Sequence, residues 1–217
     1  MSDRFDRVKK IFGDSFSSIE NLKVIVFGVG GVGSFAIDCL YRSGVRDLTV
    51  VDSDCYEETN RNRQIGSDNN IGRKKVDILQ EIYQGIRGVS QKVTQENIDS
   101  FELDSFDIVI DAIDDLKMKI ELAKRVDSRR FISSMGSANK LDPTKIEVVS
   151  IWKTHGDPLA RRVRSELRKS GFKGDYRVIF SSEEPIGERG GSFSAVTGSF
   201  GLTICSETLN RVTKNLL

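Results

Sequence analysis

A doubly wound α/β fold with a mostly parallel sheet is predicted by three observations. Strand-length apolar runs alternate with amphipathic helical stretches through the first two thirds of the chain. The first of these runs ends in a glycine-rich turn that opens a helix, and the second ends in an aspartate. No linker, low-complexity segment or internal repeat divides the 217 residues, a length that supports one well-buried core.

The elements follow in order. Phe5, Val8, Ile11, Phe12 and Phe16 recur at helical spacing, which predicts an amphipathic helix or helix pair over residues 1–20. Residues 22–27 read as a buried strand, 28–33 as a turn, and 34–42 as a helix that Gly44 ends. A second strand spans 47–52, and a helix spans 73–86 with Val76, Leu79, Ile82 and Tyr83 on one side. Residues 91–97 and 106–113 read as strands, 116–126 as a helix, and 130–135 as a further strand before a loop opens at Gly136. Past Pro143 the pattern changes. Residues 146–152 and 176–181 read as strands around a basic helix, 187–191 as a loop, and 196–216 as a closing helix. With nothing to separate them, these last strands are expected to extend the same sheet.

Composition narrows the function classes. Thirty-three Lys and Arg balance 32 Asp and Glu, so a nucleic-acid surface must come from local clustering. Cys39, Cys55 and Cys205 are widely spaced, and His155 is the sole histidine. No structural zinc and no disulfide framework are therefore expected. The apolar runs are too short to span a membrane, and no signal peptide is evident, so a cytoplasmic location is expected.

Gly28, Gly30, Gly31 and Gly33 form a G-x-G-G-x-G turn between a strand and a helix. Glycines let backbone approach a phosphate, and the helix N-terminus offers unpaired N–H groups and a favourable dipole. Asp52, at the end of the next strand, is placed to accept hydrogen bonds from ribose hydroxyls. The frame is Rossmann-like and predicts nucleotide binding, without naming the nucleotide. Arg61, Arg63, Arg73, Lys74 and Lys75 follow the acidic strand end and suit a triphosphate. Asp114 lies just past the C-terminal end of a strand, where it can reach the same crevice and hold magnesium. Either Asp114 or Asp115 can instead cap the helix that follows.

Together the glycine turn, the D-x-D of Asp52 and Asp54, the N-R-N-R-Q of residues 60–64, the G-R-K-K of 72–75 and the D-A-I-D of 111–114 resemble the adenylating enzymes related to ubiquitin activators and to bacterial ThiF and MoeB. The resemblance covers residues 4–135. It implies ATP with Mg2+, a homodimer, and transfer of AMP to a substrate carboxylate. By motif match, Asp52 would hold the ribose, Asn60, Arg63 and Lys75 would contact phosphates, and Asp114 would hold magnesium. Arg7 resembles the arginine that reaches into a partner's active site.

The second half resembles the tRNA threonylcarbamoyladenosine dehydratase branch, in residues 136–148, 157–169, 178–183 and 191–203. That resemblance implies adenylation of the threonyl carboxylate of the modified nucleoside, followed by cyclisation. Residues apart from it agree. Asp157 and Pro158 can start a helix that Gly171 ends, with Leu159, Ala160, Val163 and Leu167 as its buried stripe. Arg161, Arg164 and Arg168 recur on another face, flanked by Arg162 and Lys169, a candidate surface for RNA phosphates. The whole chain thus reads as one adenylating domain, with a helical segment over 1–20, a nucleotide-binding core over 21–140 and an extension facing substrate and tRNA over 141–217. Longer dehydratases carry a cysteine-containing insert where this chain has only the connection 187–191, so a cysteine-dependent step has little support.

The other readings differ in acceptor or chemistry. An adenylyltransferase of a ubiquitin-like sulfur carrier needs a groove for an extended Gly-Gly tail, and leaves sulfur-transfer proteins open as partners. A nicotinamide oxidoreductase gives the N-R-N-R-Q run and Lys75 no role. A nucleotide-sensing scaffold would bind ATP and form no AMP.

Overall fold

The computed structural model describes residues 3–187 and 190–214. Seven strands form one sheet in the order β3-β2-β1-β4-β5-β7-β6. They are β1 (Lys23–Phe27), β2 (Asp47–Val51), β3 (Arg87–Val89), β4 (Ile108–Asp111), β5 (Phe131–Ser134), β6 (Ile146–Ser150) and β7 (Arg177–Ser181). All neighbours pair in parallel except β6 and β7, which are antiparallel. The doubly wound α/β prediction holds, and the C-terminal strands do extend the sheet. Chain order reverses between β1 and β4. In open parallel sheets such a switch point opens a crevice beyond the strands' C-terminal ends.

The central strands are buried on both faces, as continuous apolar runs require. One face carries α2 (Phe16–Glu20), α3 (Gly33–Arg42), α4 (Lys75–Ile82) and α7 (Ser194–Thr213), packed on Val24, Val26, Ile110 and Ile132. The other carries α5 (Leu116–Arg125) and α6 (Pro158–Lys169), packed on Ile25, Phe27, Val109 and Phe131. Helices α3 and α7 cross closely. A Cβ on Gly201 would lie 2.5 Å from the Val32 carbonyl oxygen and 2.7 Å from the Ala36 nitrogen. This crossing sets α7 directly behind the glycine turn. Cys205, on α7, meets Cys39 of α3 and lies 3.9 Å from Ser43 Oγ, so Cys39 packs toward α7 as well as the sheet.

Three expectations need correction. Residues 91–97 are not a strand. The edge strand is Arg87–Val89, because Asn97 turns the later segment by accepting from the Thr94 amide and donating to the Lys92 carbonyl. The N-terminal stripe is only partly buried. Phe5 and Phe16 pack together, but α1 (Asp6–Phe12) buries none of its residues and Ile11 is 79% exposed. The helix expected over 73–86 begins at Lys75 and ends at Ile82, since Lys74 bridges Cys55 and the Arg73 carbonyl accepts from the Tyr56 amide. Residues 188–189 of the short connection, and 215–216 of the expected closing helix, lie outside the described residues. No described helix is long and apolar enough to cross a membrane.

Candidate functional site

A cleft of about 610 Å³ opens at the switch point between β1 and β4. The glycine turn forms one wall through close backbone approach. Gly28 has φ +90°, and a Cβ there would lie 2.6 Å from the Ala112 carbonyl oxygen. Gly28, Gly30 and Gly31 line the cleft. Gly33 does not. It sits behind the turn, where a Cβ would stand 1.9 Å from the Gly28 carbonyl oxygen. Its part is to let the loop close on the first turn of α3.

Asp52 holds this loop by its backbone. One carboxylate oxygen accepts from the Val29 amide at 2.8 Å, the other from the Asp54 amide at 2.8 Å. Each oxygen keeps a second acceptor site for a hydroxyl donor. The nearby Tyr56 phenol, bonded to the Ile65 carbonyl at 2.6 Å, is held above its ordinary ionisation range by burial and by the Asp52 charge. Lys75, at the first position of α4, is 5% exposed, and its Nζ lies 3.3 Å from the exposed Asp54 carboxylate. A nearly buried ammonium with one partially exposed partner retains donors for an anionic ligand.

The N-R-N-R-Q run starts at the last residue of a short 3-10 turn, Glu58–Asn60, and continues through the loop after it. Asn60 is buried and closes that turn by accepting from the Glu57 amide at 3.1 Å. Arg63 is oriented by the Thr59 carbonyl at 2.7 Å and Asn62 Oδ1 at 2.8 Å, and its side chain packs against Gly31. Gln64 lines the cleft with a buried Oε1 that has no hydrogen-bond partner among the described residues. Opposite ends of the chain meet here. Asn62 donates to the Ser192 carbonyl at 3.0 Å, and Thr197 of α7 lines the cleft.

Asp115, not Asp114, caps α5, accepting from the amides of Lys117 at 2.8 Å and Met118 at 3.2 Å. Asp114 is exposed and lines the cleft. The loop that presents it is braced from below by a feature the sequence reading missed. Asp111 is fully buried, and its carboxylate receives Lys119 Nζ at 3.0 Å, Ser133 Oγ at 2.6 Å and the Ile113 amide at 3.2 Å. A lysine eight residues beyond an aspartate, on an otherwise apolar helix face, is the signal that could have found it.

The structure brings together Gly28, Gly30, Gly31, Asp52, Asp54, Asn60, Arg63, Lys75 and Asp114 in one cleft. Arg7 stands apart, exposed on α1 and outside the lining of its own chain's cleft. On α6, Arg161, Arg162, Arg168 and Lys169 are exposed. Arg168 lies over the Trp152 ring, 5.3 Å from its centroid. Arg164 departs from the expected surface. It is half-buried and bonded to Thr154 Oγ1, and its pKa is lowered by burial first and by the Arg168 charge second. One nitrogen of its guanidinium is engaged by Thr154 within the protein.

No group of three or more potential metal-ligating His, Cys, Asp or Glu side chains occurs among the described residues. Magnesium does not need one. It is commonly bound by one or two carboxylates together with phosphate oxygens, and exposed Asp114 fits that pattern.

The ThiF family model matches residues 5–215. This chain belongs to the ThiF family. Among relatives of this ThiF-family chain, the tRNA threonylcarbamoyladenosine dehydratase of Bacillus subtilis is 41% identical over 196 residues, covering 86% of this chain and 77% of the relative. The Escherichia coli enzyme of that name is 31% identical over 194 residues, covering 85% of this chain and 70% of the relative. A solved structure of the E. coli dehydratase in complex with ATP superposes with a TM-score of 0.89 at 28% identity, covering 98% of this chain and 94% of the other. The same E. coli enzyme has also been solved with AMP. These relatives favour the RNA dehydratase over the sulfur-carrier adenylyltransferase.

Proposed function

We propose that this ThiF-family chain is an ATP-dependent dehydratase that adenylates the threonyl carboxylate of threonylcarbamoyladenosine in tRNA and promotes its cyclisation. The observation that carries the reading is the convergence of Arg63, Lys75 and Asp114 on the glycine turn within one cleft. A carboxylate is a poor electrophile until one of its oxygens becomes a good leaving group. Attack of that oxygen on the α-phosphorus expels pyrophosphate and gives an acyl adenylate. The nucleoside's own carbamoyl group then attacks the acyl carbon, AMP departs with the carboxylate oxygen, and a proton is released. The nucleoside has lost one water.

Arg63 and Lys75 stabilise charge gathering on the phosphates, while the turn amides and Asp52 orient the nucleotide. Asp114 would hold a magnesium ion with phosphate oxygens, and that ion would supply further charge neutralisation. In a homodimer, Arg7 of a second copy would add a cation to this cleft. The exposed Arg161, Arg162, Arg168 and Lys169 of α6 would receive RNA phosphates. A tRNA substrate is consistent with a cytoplasmic location.

The test is incubation with ATP and tRNA carrying threonylcarbamoyladenosine, followed by nucleoside mass analysis. Loss of one water from that nucleoside is expected. An unchanged nucleoside from folded, ATP-binding protein sinks the proposal. Arg63→Ala or Asp114→Ala should lower AMP formation about 100-fold or more while the thermal midpoint stays put.

A further inference from the structure

Asp157 is fully buried, and its carboxylate binds three separate parts of the chain. Oδ1 accepts from the Ala160 amide at 2.9 Å and so caps α6. Oδ2 accepts from the Gly136 amide at 3.0 Å and from Lys140 Nζ at 3.3 Å. Lys140 is 2% exposed and donates also to the Ser181 carbonyl, at 2.8 Å, at the end of β7. The fit is close on every side, since a Cβ on Gly136 would stand 3.2 Å from both Asp157 oxygens.

Capping does not account for this arrangement. A serine or asparagine caps a helix comparably, with no charge to bury. A buried ion pair pays a desolvation penalty that offsets most of its attraction. What the pair adds is fixed geometry between two surfaces. Ser137 and Ala138, directly after Gly136, line the nucleotide cleft. Arg161 and Arg162 are exposed on α6, one turn past its capped end.

We propose that Asp157 and Lys140 are a positioning pair that couples the cleft wall at Ser137 and Ala138 to the basic face of α6. RNA held through its phosphates by Arg161 and Arg162 then presents the modified nucleoside at a set distance from the nucleotide's α-phosphate. The inference rests on the dehydratase reading. It assigns the pair no contact with the reacting atoms, only control over where two contacting surfaces stand. The advantage of a whole tRNA over its isolated modified nucleoside depends on that spacing.

The experiment compares kcat/KM for tRNA carrying threonylcarbamoyladenosine with kcat/KM for the free modified nucleoside. The double variant Asp157→Asn/Lys140→Gln removes both charges together, so neither is left buried alone. An asparagine offers one oxygen, so it cannot keep both the α6 cap and the Gly136 amide. In folded double variant, kcat/KM for tRNA should fall at least about tenfold, while the free nucleoside and the ATP Kd change less than about threefold. The charge-keeping variant Lys140→Arg, which leaves the Asp157 carboxylate paired and the cap in place but changes the length of the cationic side chain, gives the same pattern should the double variant fail to fold. Equal losses on both substrates, or no loss on either, overturn the coupling and leave the function standing. Wild-type protein that converts neither substrate overturns the function, and the coupling with it.

Discussion

Lys119 and Asp111 form a buried ion pair, 3.0 Å from Nζ to Oδ2, at 1% and 0% side-chain exposure. It lies beneath the loop that carries Asp114, and Lys119 also reaches the Ser134 carbonyl at 2.7 Å. Lys119→Met leaves the Asp111 carboxylate buried with no cation, which is expected to cost about 3–5 kcal/mol. Asp111→Asn/Lys119→Met should recover at least half of that loss. Urea unfolding of the three proteins measures it, and a single variant costing under about 1 kcal/mol contradicts the assignment.

The glycines of the turn should separate into two kinds. Gly33→Ala drives a Cβ into the Gly28 carbonyl, so the turn must open and thermal stability should drop by several kcal/mol. Gly30→Ala meets only Gln64 Nε2, at 3.9 Å, and should fold normally. Its methyl would still crowd the cleft wall, so ATP affinity should fall about tenfold. Melting curves and calorimetric ATP titration test both halves independently.

Alkaline pH should unfold the protein through its tyrosines. Burial raises the pKa of Tyr56, Tyr83 and Tyr176, and the Asp38 carboxylate that Tyr83 donates to raises it further. The unfolded chain ionises these phenols near pH 10, while the folded chain keeps them protonated. The unfolded state thus holds fewer protons above pH 10, and stability falls as pH rises, by up to about 1.4 kcal/mol per pH unit for each tyrosine. Their contribution is fully present below pH 10. Urea midpoints between pH 8 and 11, read beside tyrosinate absorbance, should show ionisation of these three only as the fold is lost.

The arginines of α6 should divide by burial. Arg161→Gln/Arg162→Gln is expected to weaken tRNA binding and lower its log–log salt slope by about 1 to 2, leaving ATP affinity unchanged. Arg164→Gln should leave the salt slope alone and instead lower stability, because its guanidinium is bonded to Thr154 inside the protein. Fluorescence anisotropy over a salt series discriminates the two. A slope change for Arg164→Gln equal to the others contradicts the division.

The nucleotide end was legible in the sequence because its constraints are local. Gly28 to Gly33, Asp52 and Asp114 sit at strand ends, and strand ends are marked by apolar runs that stop. What escaped was set by tertiary contact. Nothing near Arg164 foretold Thr154 beneath it, since helical spacing locates a face without saying what packs there. Gly33 matched the motif but lies behind the loop, a distinction that depends on the path of Gly28's carbonyl. The sequence marks Asp157 as a cap and Asp111 as part of D-A-I-D but does not mark Lys140 or Lys119 as their partners, because periodicity cannot tell a solvated lysine from one that folds inward. The strand expected over 91–97 yielded to a turn held by Asn97.

The hydrogen bond from Asn62 to the Ser192 carbonyl joins residues 130 positions apart at the mouth of the cleft. Synthesis delivers the chain from its N-terminus, so the glycine turn, Arg63 and Lys75 leave the ribosome long before the segment that encloses them. A nascent or prematurely ended chain would expose a phosphate-binding loop with no far wall. On the proposed reading, the lining of the ATP cleft is complete only after Ser192 and Thr197 have been added.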